Sequence, residues 1–164
     1  MKILRNIYSW FNDFYSNSLY NYLRGSNCDG VLDGTDHFNT IGLVMIVVSL
    51  ALVALYYYGI NHPRFNRWWS WLIVLFSNAI INLFIGFGYV YSKLYNGEIS
   101  ACFTHSQIET TEDGYIHGVS GTEVLFDANC WQFGLANAII AIGFFFIFSI
   151  LFKWWSRNSK YSPF

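Results

Sequence analysis

Charged side chains are scarce in this sequence. Asp, Glu, Lys and Arg make up 12% of the 164 residues, against about 25% in an average soluble domain. Hydrophobic residues make up 54% and aromatic residues 21%. A soluble protein of this size needs a charged shell around its core, and this chain has too few charges to form one. The composition therefore argues against a soluble domain and favours an integral membrane protein.

Motifs for catalysis and metal binding are absent as well. The sequence has no GxSxG, P-loop or GxGxxG pattern, and neither CxxC nor HExxH occurs. Some histidines and aspartates could ligate Zn²⁺ or Ca²⁺, but their spacing fits neither metal, and we interpret them as solvated loop residues. They are His37, His105, His117, Asp29, Asp33 and Asp36. We therefore predict a protein that is not an enzyme and that binds no cofactor and no metal.

Three segments have the length and composition of transmembrane helices. They are residues 41–60, 68–92 and 131–152, and none contains Asp, Glu, Lys, Arg or His. Crossing roughly 30 Å of hydrocarbon takes about 20 helical residues, and each segment reaches that length. Each segment also has Trp or Tyr at one or both ends, where amphipathic rings lie at the level of the headgroups. The sequence therefore predicts three transmembrane helices.

Residues 3–23 are the ambiguous element. Their apolar residues recur every three or four positions, which predicts a helix with one apolar and one polar face. We expect this helix to cross the membrane with its polar face turned inward, and the alternative is a helix that lies flat in the interface. The apolar face holds Ile3, Leu4, Ile7, Phe11, Phe14, Tyr15 and Tyr22, and the polar face includes Ser9, Asn12, Asp13, Ser16 and Asn17.

The predicted fold class is an all-α integral membrane protein. We expect a four-helix transmembrane bundle, formed by the three long helices and the amphipathic N-terminal helix, in a single membrane domain over residues 1–164. Residues 93–130 form a small extracytoplasmic cap, in which glycines separate β-prone pieces and favour a hairpin. The N-terminal region lacks the unbroken apolar core of a cleaved signal peptide, so we expect Met1 to be retained.

Basic residues are divided unevenly between the two sides of such a bundle. With four crossings, the N-terminus, the 61–67 loop and the C-terminal tail share one side, which has seven Lys and Arg residues. The other side has two, Arg24 and Lys93, and it has every acid except Asp13. The positive-inside rule then places both termini in the cytoplasm, and we predict the inner (plasma) membrane of a bacterium.

A basic rim is predicted on the cytoplasmic side. Its members are Arg64, Arg67, Lys153, Arg157 and Lys160. Anionic lipid headgroups are the expected ligand of such a rim, and a nucleotide or a nucleic acid is the alternative. The acidic loops on the opposite side could in turn bind a protein partner.

All three cysteines fall on the predicted non-cytoplasmic side, where disulfide bonds persist. Cys102 and Cys130 flank the predicted cap, and a bond between them would tie the cap to the last long helix. We therefore predict a disulfide bond between Cys102 and Cys130. A bond of Cys28 with either of the other two is the alternative.

Polar and small residues inside the long segments form a pattern. Asn78, Asn82 and Gly86 recur every four residues on one face of the second segment. Small residues let helices approach closely, and Asn side chains hydrogen-bond across the contact. The pattern is typical of packing within the chain, and a contact between subunits or a pore wall is the alternative. The last segment has a similar face, which comprises Gly134, Asn137, Ala138 and Ala141.

These features lead to two functional hypotheses. The first is a homo-oligomeric ion channel or pore-forming membrane effector, in which the polar face of residues 3–23 lines an aqueous path and a ligand at the basic rim gates it. This hypothesis needs an oligomer, because a bundle of about four helices cannot enclose an aqueous channel by itself. The second is a non-catalytic membrane subunit or scaffold, which binds other membrane or periplasmic proteins through its acidic extracytoplasmic loops.

Overall fold

The chain folds around three long helices, with shorter elements at one end of them. The computed structural model describes residues 2–27, 31–32, 34–59, 68–110, 116–123, 125 and 127–154. The helices are α1 (Lys2–Ser9), α2 (Asn12–Tyr15), α3 (Asn17–Leu23), α4 (His37–Ala54), α5 (Trp68–Tyr95), α6 (Ala101–Thr104) and α7 (Asp127–Lys153), and the strands are β1 (His105–Thr110) and β2 (Ile116–Glu123).

Helices α4, α5 and α7 are each long and apolar enough to cross a membrane. The shortest is α4, which continues as a π-helical turn over Leu55–Gly59 and has 23 residues with that turn. At about 1.5 Å per residue it is about 35 Å long, which exceeds the hydrocarbon thickness. The three helices overlap the predicted segments 41–60, 68–92 and 131–152, so the prediction of three long apolar helices is confirmed.

Helices α5 and α7 pack closely because glycines lie at their contact. A Cβ atom on Gly134 would lie 2.8 Å from the carbonyl oxygen of Leu83. A Cβ atom on Gly86 would lie 3.0 Å from the Cβ atom of Asn137. Larger residues at either glycine would push the two backbones apart. The small-residue faces therefore serve packing within the chain, as the first of the two interpretations has it.

The N-terminal region does not form the single helix predicted over residues 3–23, and that prediction is wrong. The helix is interrupted after Ser9 and again at Ser16, whose φ of +96° lies in the left-handed region. Near the second break, the side chains of Asn12 and Asn17 hydrogen-bond to each other. At the first break, the Ser9 hydroxyl donates to the Asn6 carbonyl. Ser and Asn side chains can compete in this way with the helical backbone for hydrogen bonds, which the hydrophobic periodicity does not reveal. The longest piece, α1, has 8 residues and spans about 12 Å.

The N-terminal segment, residues 2–24, lies at the end of the bundle where α4 and α7 begin and α5 ends. Tyr8, Tyr15, Leu19 and Leu23 all belong to the aromatic-rich cluster of buried residues at that end. The cluster at the opposite end contains no described residue of α1, α2 or α3. A bundle of four full-length helices is therefore not confirmed. The opposite cluster is built from Val53, Tyr56, Tyr57, Trp71, Leu75 and Phe145.

A short hairpin follows α5 and α6. Strands β1 and β2 pair antiparallel, with His105 opposite Glu123 and Thr110 opposite Ile116, and the register is irregular at two points. The sequence favoured a hairpin in this region, but its β-prone pieces, residues 98–104 and 123–126, lie largely outside the strands that form. The described part of the chain is thus helical apart from this hairpin, and an extracytoplasmic cap stays a prediction.

Candidate functional site

Three buried asparagines connect α5 and α7 in one chain of hydrogen bonds. The Asn137 amide nitrogen donates to the carbonyl of Asn82 at 2.7 Å, and the Asn78 amide nitrogen donates to the carbonyl of Ala141 at 3.2 Å. Within α5, the Asn82 amide nitrogen donates to the Asn78 carbonyl and side-chain oxygen at 2.9 and 3.0 Å. We name Asn78, Asn82 and Asn137 the asparagine ladder. Each of these side chains is fully buried.

Tyr8 extends the asparagine ladder into the N-terminal segment. Its hydroxyl donates to the side-chain oxygen of Asn137, and its ring stacks on Phe38 and Phe133 at centroid distances of 5.1 and 5.8 Å. Tyr15 in turn donates to the Tyr8 carbonyl at 3.1 Å. Burial raises the pKa of both tyrosines well above the ordinary value of about 10, so both hydroxyls keep their protons at physiological pH. Sequence reasoning missed Tyr8, because its partner on α7 is distant in the chain.

The asparagine ladder is closed to solvent, so its three residues are contacts between helices of one chain. The outward faces of α4, α5 and α7 are apolar along the described residues, and their exposed residues include Val47, Phe76 and Ile139. Two exposed serines on α5 turn back to their own helix: Ser77 donates to the Ile73 carbonyl, and Ser92 to the Tyr89 carbonyl. These faces match the hydrocarbon of a bilayer, whereas the wall of an aqueous pore needs polar groups.

The predicted polar stripe of the N-terminal segment does not form one straight face. Ser9, Asn12, Asp13, Ser16 and Asn17 are divided between two short helices and the break at Ser16. The Ser9 hydroxyl donates to the Asn6 carbonyl at 2.7 Å. Asp13 and Asn17 are exposed, and the others are half-buried. Whether any of these residues lines an aqueous path stays a prediction.

A second buried polar group connects the three long helices in their other half. The Tyr57 and Ser149 hydroxyls lie 2.6 Å apart, and the Trp71 ring nitrogen donates to the Ser149 hydroxyl at 2.9 Å. By contrast, the hydroxyl of Ser49 on α4 is buried without a hydrogen-bond partner among the described residues. The Ser149 contacts could not be predicted, because a lone serine in an apolar helix has no spacing pattern.

Ion pairs and a histidine hold the elements together where α4 begins. The Arg5 guanidinium contacts one carboxylate oxygen of Asp36 at 2.8 and 3.1 Å, directly before the first residue of α4. A carboxylate at this position is favourable, because helix N-termini carry partial positive charge. His37 Nδ1 lies 2.8 Å from the Tyr89 hydroxyl, and the His37 ring stacks on Tyr22 at 5.3 Å. These contacts join α1, α3, α4 and α5.

The sequence segments that adjoin the two ends of the bundle differ strongly in charge. All ten Asp and Glu residues and four of the nine Lys and Arg residues stand in residues 1–36 and 93–130, the segments that adjoin the end with the N-terminal segment. Four positive and ten negative charges give a formal net charge of −6, and we name this end the acidic end. The five residues of the predicted basic rim belong to the opposite end. Of that rim, the structure describes Lys153 at the end of α7, and Arg64, Arg67, Arg157 and Lys160 lie outside the described residues.

The position of the N-terminal segment also changes the number of Lys and Arg residues on each side of the membrane, on which the predicted orientation was based. The bias of seven to two in Lys and Arg depended on residues 3–23 crossing the membrane. With Lys2 and Arg5 at the acidic end, the count becomes five to four. Two of those four are paired with acids, as Arg5 contacts Asp36 and Lys93 contacts Glu98. The ion pair with Lys93 holds the pKa of the Glu98 carboxyl below its ordinary value.

The predicted disulfide bond between Cys102 and Cys130 does not form. Cys130 is a free thiol, fully buried near the start of α7, whereas Cys102 on α6 is disulfide-bonded. Cys130 faces the aromatic-rich cluster, so its side chain serves as a small core residue. Cys28, the third cysteine, lies outside the described residues.

Within the part of the chain that the structure describes, no group of three His, Cys, Asp or Glu side chains could hold a metal ion. No protein-family model, no curated protein and no solved structure matches this chain. Its function is therefore inferred from its own residues.

Proposed function

We propose that this chain is a non-catalytic integral membrane protein, in which three helices cross the bilayer and the acidic end binds a basic protein partner. The observation that carries the proposal is the separation of roles along the bundle. The asparagine ladder is hydrogen-bonded inside the chain, the outward faces of the long helices are apolar, and the acids collect at one end.

The aromatic residues near the helix ends support a membrane-spanning position. Exposed Trp69 and Tyr91 lie near opposite ends of α5, about 33 Å apart along the helix at about 1.5 Å per residue. Exposed Trp131 and Trp154 likewise lie near opposite ends of α7, about 35 Å apart along the helix axis at about 1.5 Å per residue. Tryptophan and tyrosine prefer the two interfaces of a membrane, and these separations fit the thickness of its hydrocarbon core.

The acidic end is proposed to face away from the cytoplasm. The five basic residues of the other end have no acid beside them in the chain order, and such clusters stay in the cytoplasm. The disulfide bond of Cys102 supports the same orientation, since disulfide bonds persist in oxidising compartments. In this orientation the C-terminus is cytoplasmic and the N-terminus is not, which revises the prediction that both are cytoplasmic. The bacterial inner membrane stays the proposed location.

Charge complementarity defines the class of partner. An end with a formal net charge of −6 attracts a basic surface and repels an acidic one, and this sets association rate and specificity. The partner proposed here is therefore another membrane or periplasmic protein with a basic patch. A homo-oligomeric channel has less support, because its pore would have to be lined by apolar helix faces.

Binding of a basic peptide tests the proposal. The protein in nanodiscs of neutral phosphatidylcholine is expected to bind an oligolysine peptide, with an affinity that falls steeply as salt rises. A variant with Glu109→Gln, Glu112→Gln and Asp113→Asn is expected to bind less tightly, whereas the control with Arg64→Gln and Arg67→Gln binds at least as well as wild type. Equal binding by wild type and the acid-neutralised variant would contradict the proposal.

A further inference from the structure

The N-terminal segment reaches below the level at which the long helices begin. On α7, Asn137 lies six residues further into the helix than Trp131, which is about 9 Å at about 1.5 Å per residue. The Tyr8 hydroxyl bonds to Asn137, so the tip of this side chain reaches that depth. On α4, the side chain of Leu4 packs against Gly42, which is likewise several residues into its helix.

The segment then returns to the acidic end. Asn129, near the start of α7, donates from its side chain to the Tyr15 carbonyl at 3.2 Å. On α3, Tyr20 contacts Phe38, and Tyr22 stacks on His37 at the first residue of α4. The chain therefore runs from the acidic end into the bundle along α1, reverses direction, and returns to the acidic end along α3.

Two large aromatic side chains point away from the protein where this segment turns. The exposed fraction of Trp10 is 82% and that of Phe14 is 45%. Both lie beside exposed polar residues, Asp13 and Asn17. Apolar rings next to polar groups are typical of segments at the boundary between headgroups and acyl chains. A surface exposed to water would leave the Trp10 ring without apolar contact.

We propose that α1 and α2 form a re-entrant wedge in the leaflet at the acidic end, with Trp10 and Phe14 inserted into the lipid boundary. The inference rests on the proposed function in one respect, since it takes α4, α5 and α7 as the helices that cross the bilayer. Its partner is the lipid itself, and no second protein is needed to cover these two rings.

The energetics of a membrane interface fit this shallow depth. A helix break such as that at Ser16 leaves backbone polar groups without helical partners, and one of them, the Tyr15 carbonyl, accepts from Asn129 instead. Water can satisfy such groups in the headgroup region but not in the hydrocarbon core. Arg5 is long enough to leave the wedge and pair with Asp36 at the start of α4, as basic side chains near a membrane boundary extend towards water. The wedge thus keeps the charge of Arg5 at the surface and its two exposed rings at the lipid boundary.

Fluorescence quenching by brominated lipids tests the depth of the wedge. The protein has seven tryptophans, so the difference in emission between wild type and Trp10→Phe isolates Trp10. Lipids brominated near the headgroup are expected to remove most of the Trp10 emission, and lipids brominated deep in the acyl chain to remove less. Trp131→Phe gives the matched control at the same interface. Absence of quenching for Trp10 by either lipid, with Trp131 quenched, would overturn the wedge.

The same measurement distinguishes the two proposals. If Trp10, Trp131 and Trp154 all escape quenching, then the membrane-spanning proposal fails, and the wedge fails with it. If Trp131 and Trp154 are quenched and Trp10 alone is not, then the wedge fails while the three crossings stand.

Sidedness of the two termini supplies an independent test. In sealed spheroplasts that express the chain with a different tag on each terminus, external protease is expected to remove the N-terminal tag and leave the C-terminal one. Both tags removed, or both retained until the membrane is opened, would show that residues 2–24 cross the bilayer and would overturn the wedge. Removal of the C-terminal tag alone would support the wedge and reverse the proposed orientation.

Discussion

The hydroxyl of Tyr8 donates a hydrogen bond to the side-chain oxygen of Asn137, 129 residues further along the chain. This one contact joins the N-terminal segment to the asparagine ladder between α5 and α7. Both side chains are fully buried, so the contact ends the ladder inside the protein. The N-terminal segment is therefore part of the core at the acidic end.

Removal of the Tyr8 hydroxyl tests this contact. Tyr8→Phe keeps the ring but leaves the Asn137 side-chain oxygen buried without its donor, so the free energy of unfolding should fall by about 1–3 kcal/mol. Tyr20→Phe is the matched control, because Tyr20 is half-buried and contacts Phe38 through its ring. Chemical unfolding in detergent measures both variants. An equal loss in the two would contradict a special role of Tyr8.

The close contact of α5 and α7 predicts opposite effects for two glycines on α7. Gly134→Ala places a methyl group 2.8 Å from the Leu83 carbonyl oxygen, so we expect a loss of about 1–3 kcal/mol in the free energy of unfolding. Gly143 has no neighbouring atom within 4 Å of an added Cβ, so Gly143→Ala should be neutral or stabilise by up to about 1 kcal/mol. Thermal unfolding of both variants checks this difference in stability, and equal stability of the two variants would show that Gly134 does not lie at a close helix contact.

Two buried serines make a second matched pair. Ser149→Ala removes the acceptor of the Trp71 ring nitrogen and the partner of the Tyr57 hydroxyl, and it should destabilise the fold by about 1–3 kcal/mol. Ser49→Ala removes a buried hydroxyl without a partner among the described residues, so it should be neutral within about 0.5 kcal/mol or stabilising. Unfolding in denaturant compares them directly. A larger loss for Ser49→Ala would show that the contacts of Ser149 contribute nothing.

The ion pair of Lys93 and Glu98 predicts that the stability of the fold depends on pH. The pKa of Glu98 is lowered in the folded chain, so its contribution to stability is present above the ordinary glutamate pKa of about 4.3. It is lost as the pH falls through the lower pKa of the folded state. Wild type should therefore lose more Tm than Glu98→Gln between neutral and acidic pH, and high salt should reduce the difference. Asp13→Asn, at an exposed acid outside this ion pair, should follow wild type, and identical slopes for wild type and Glu98→Gln would contradict the prediction.

The states of Cys102 and Cys130 predict one disulfide bond within the chain. Because the chain has three cysteines and Cys130 is free, the partner available to Cys102 within the chain is Cys28. Digestion without reductant followed by mass spectrometry should yield a linked peptide pair with Cys28 and Cys102. Cys130 should react with a thiol reagent only after unfolding, since its side chain is fully buried. A linked pair that includes Cys130 would contradict this assignment.

The long helices could be predicted from the sequence because their signal is local. Runs without ionisable residues define α4, α5 and α7, and the four-residue spacing of Asn78 and Asn82 indicates a contact face within α5. Each of these patterns lies inside one helix. Burial of Leu4 and Tyr15 also follows from the periodicity of residues 3–23, although Phe14, on the same predicted face, is exposed.

The N-terminal segment could not be predicted because its fold is set by distant residues. Its periodicity is that of a helix throughout, but Tyr8 bonds to α7, Arg5 to the residue before α4, and Tyr22 stacks on His37. These tertiary contacts override a helical preference that is weak at Asn12 and Ser16. The prediction of a disulfide bond between Cys102 and Cys130 was wrong for a similar reason. Two cysteines that flank one segment of the sequence do not necessarily have thiols that face each other.

We infer that the polar groups within the long helices hold one chain together and do not line a pore. Ion flux across proteoliposomes that contain the purified wild-type chain tests it most directly. We predict flux no greater than in protein-free liposomes, at neutral and at acidic pH. A flux that depends on the protein and changes in Asn82→Ala or Asp13→Asn would contradict the claim.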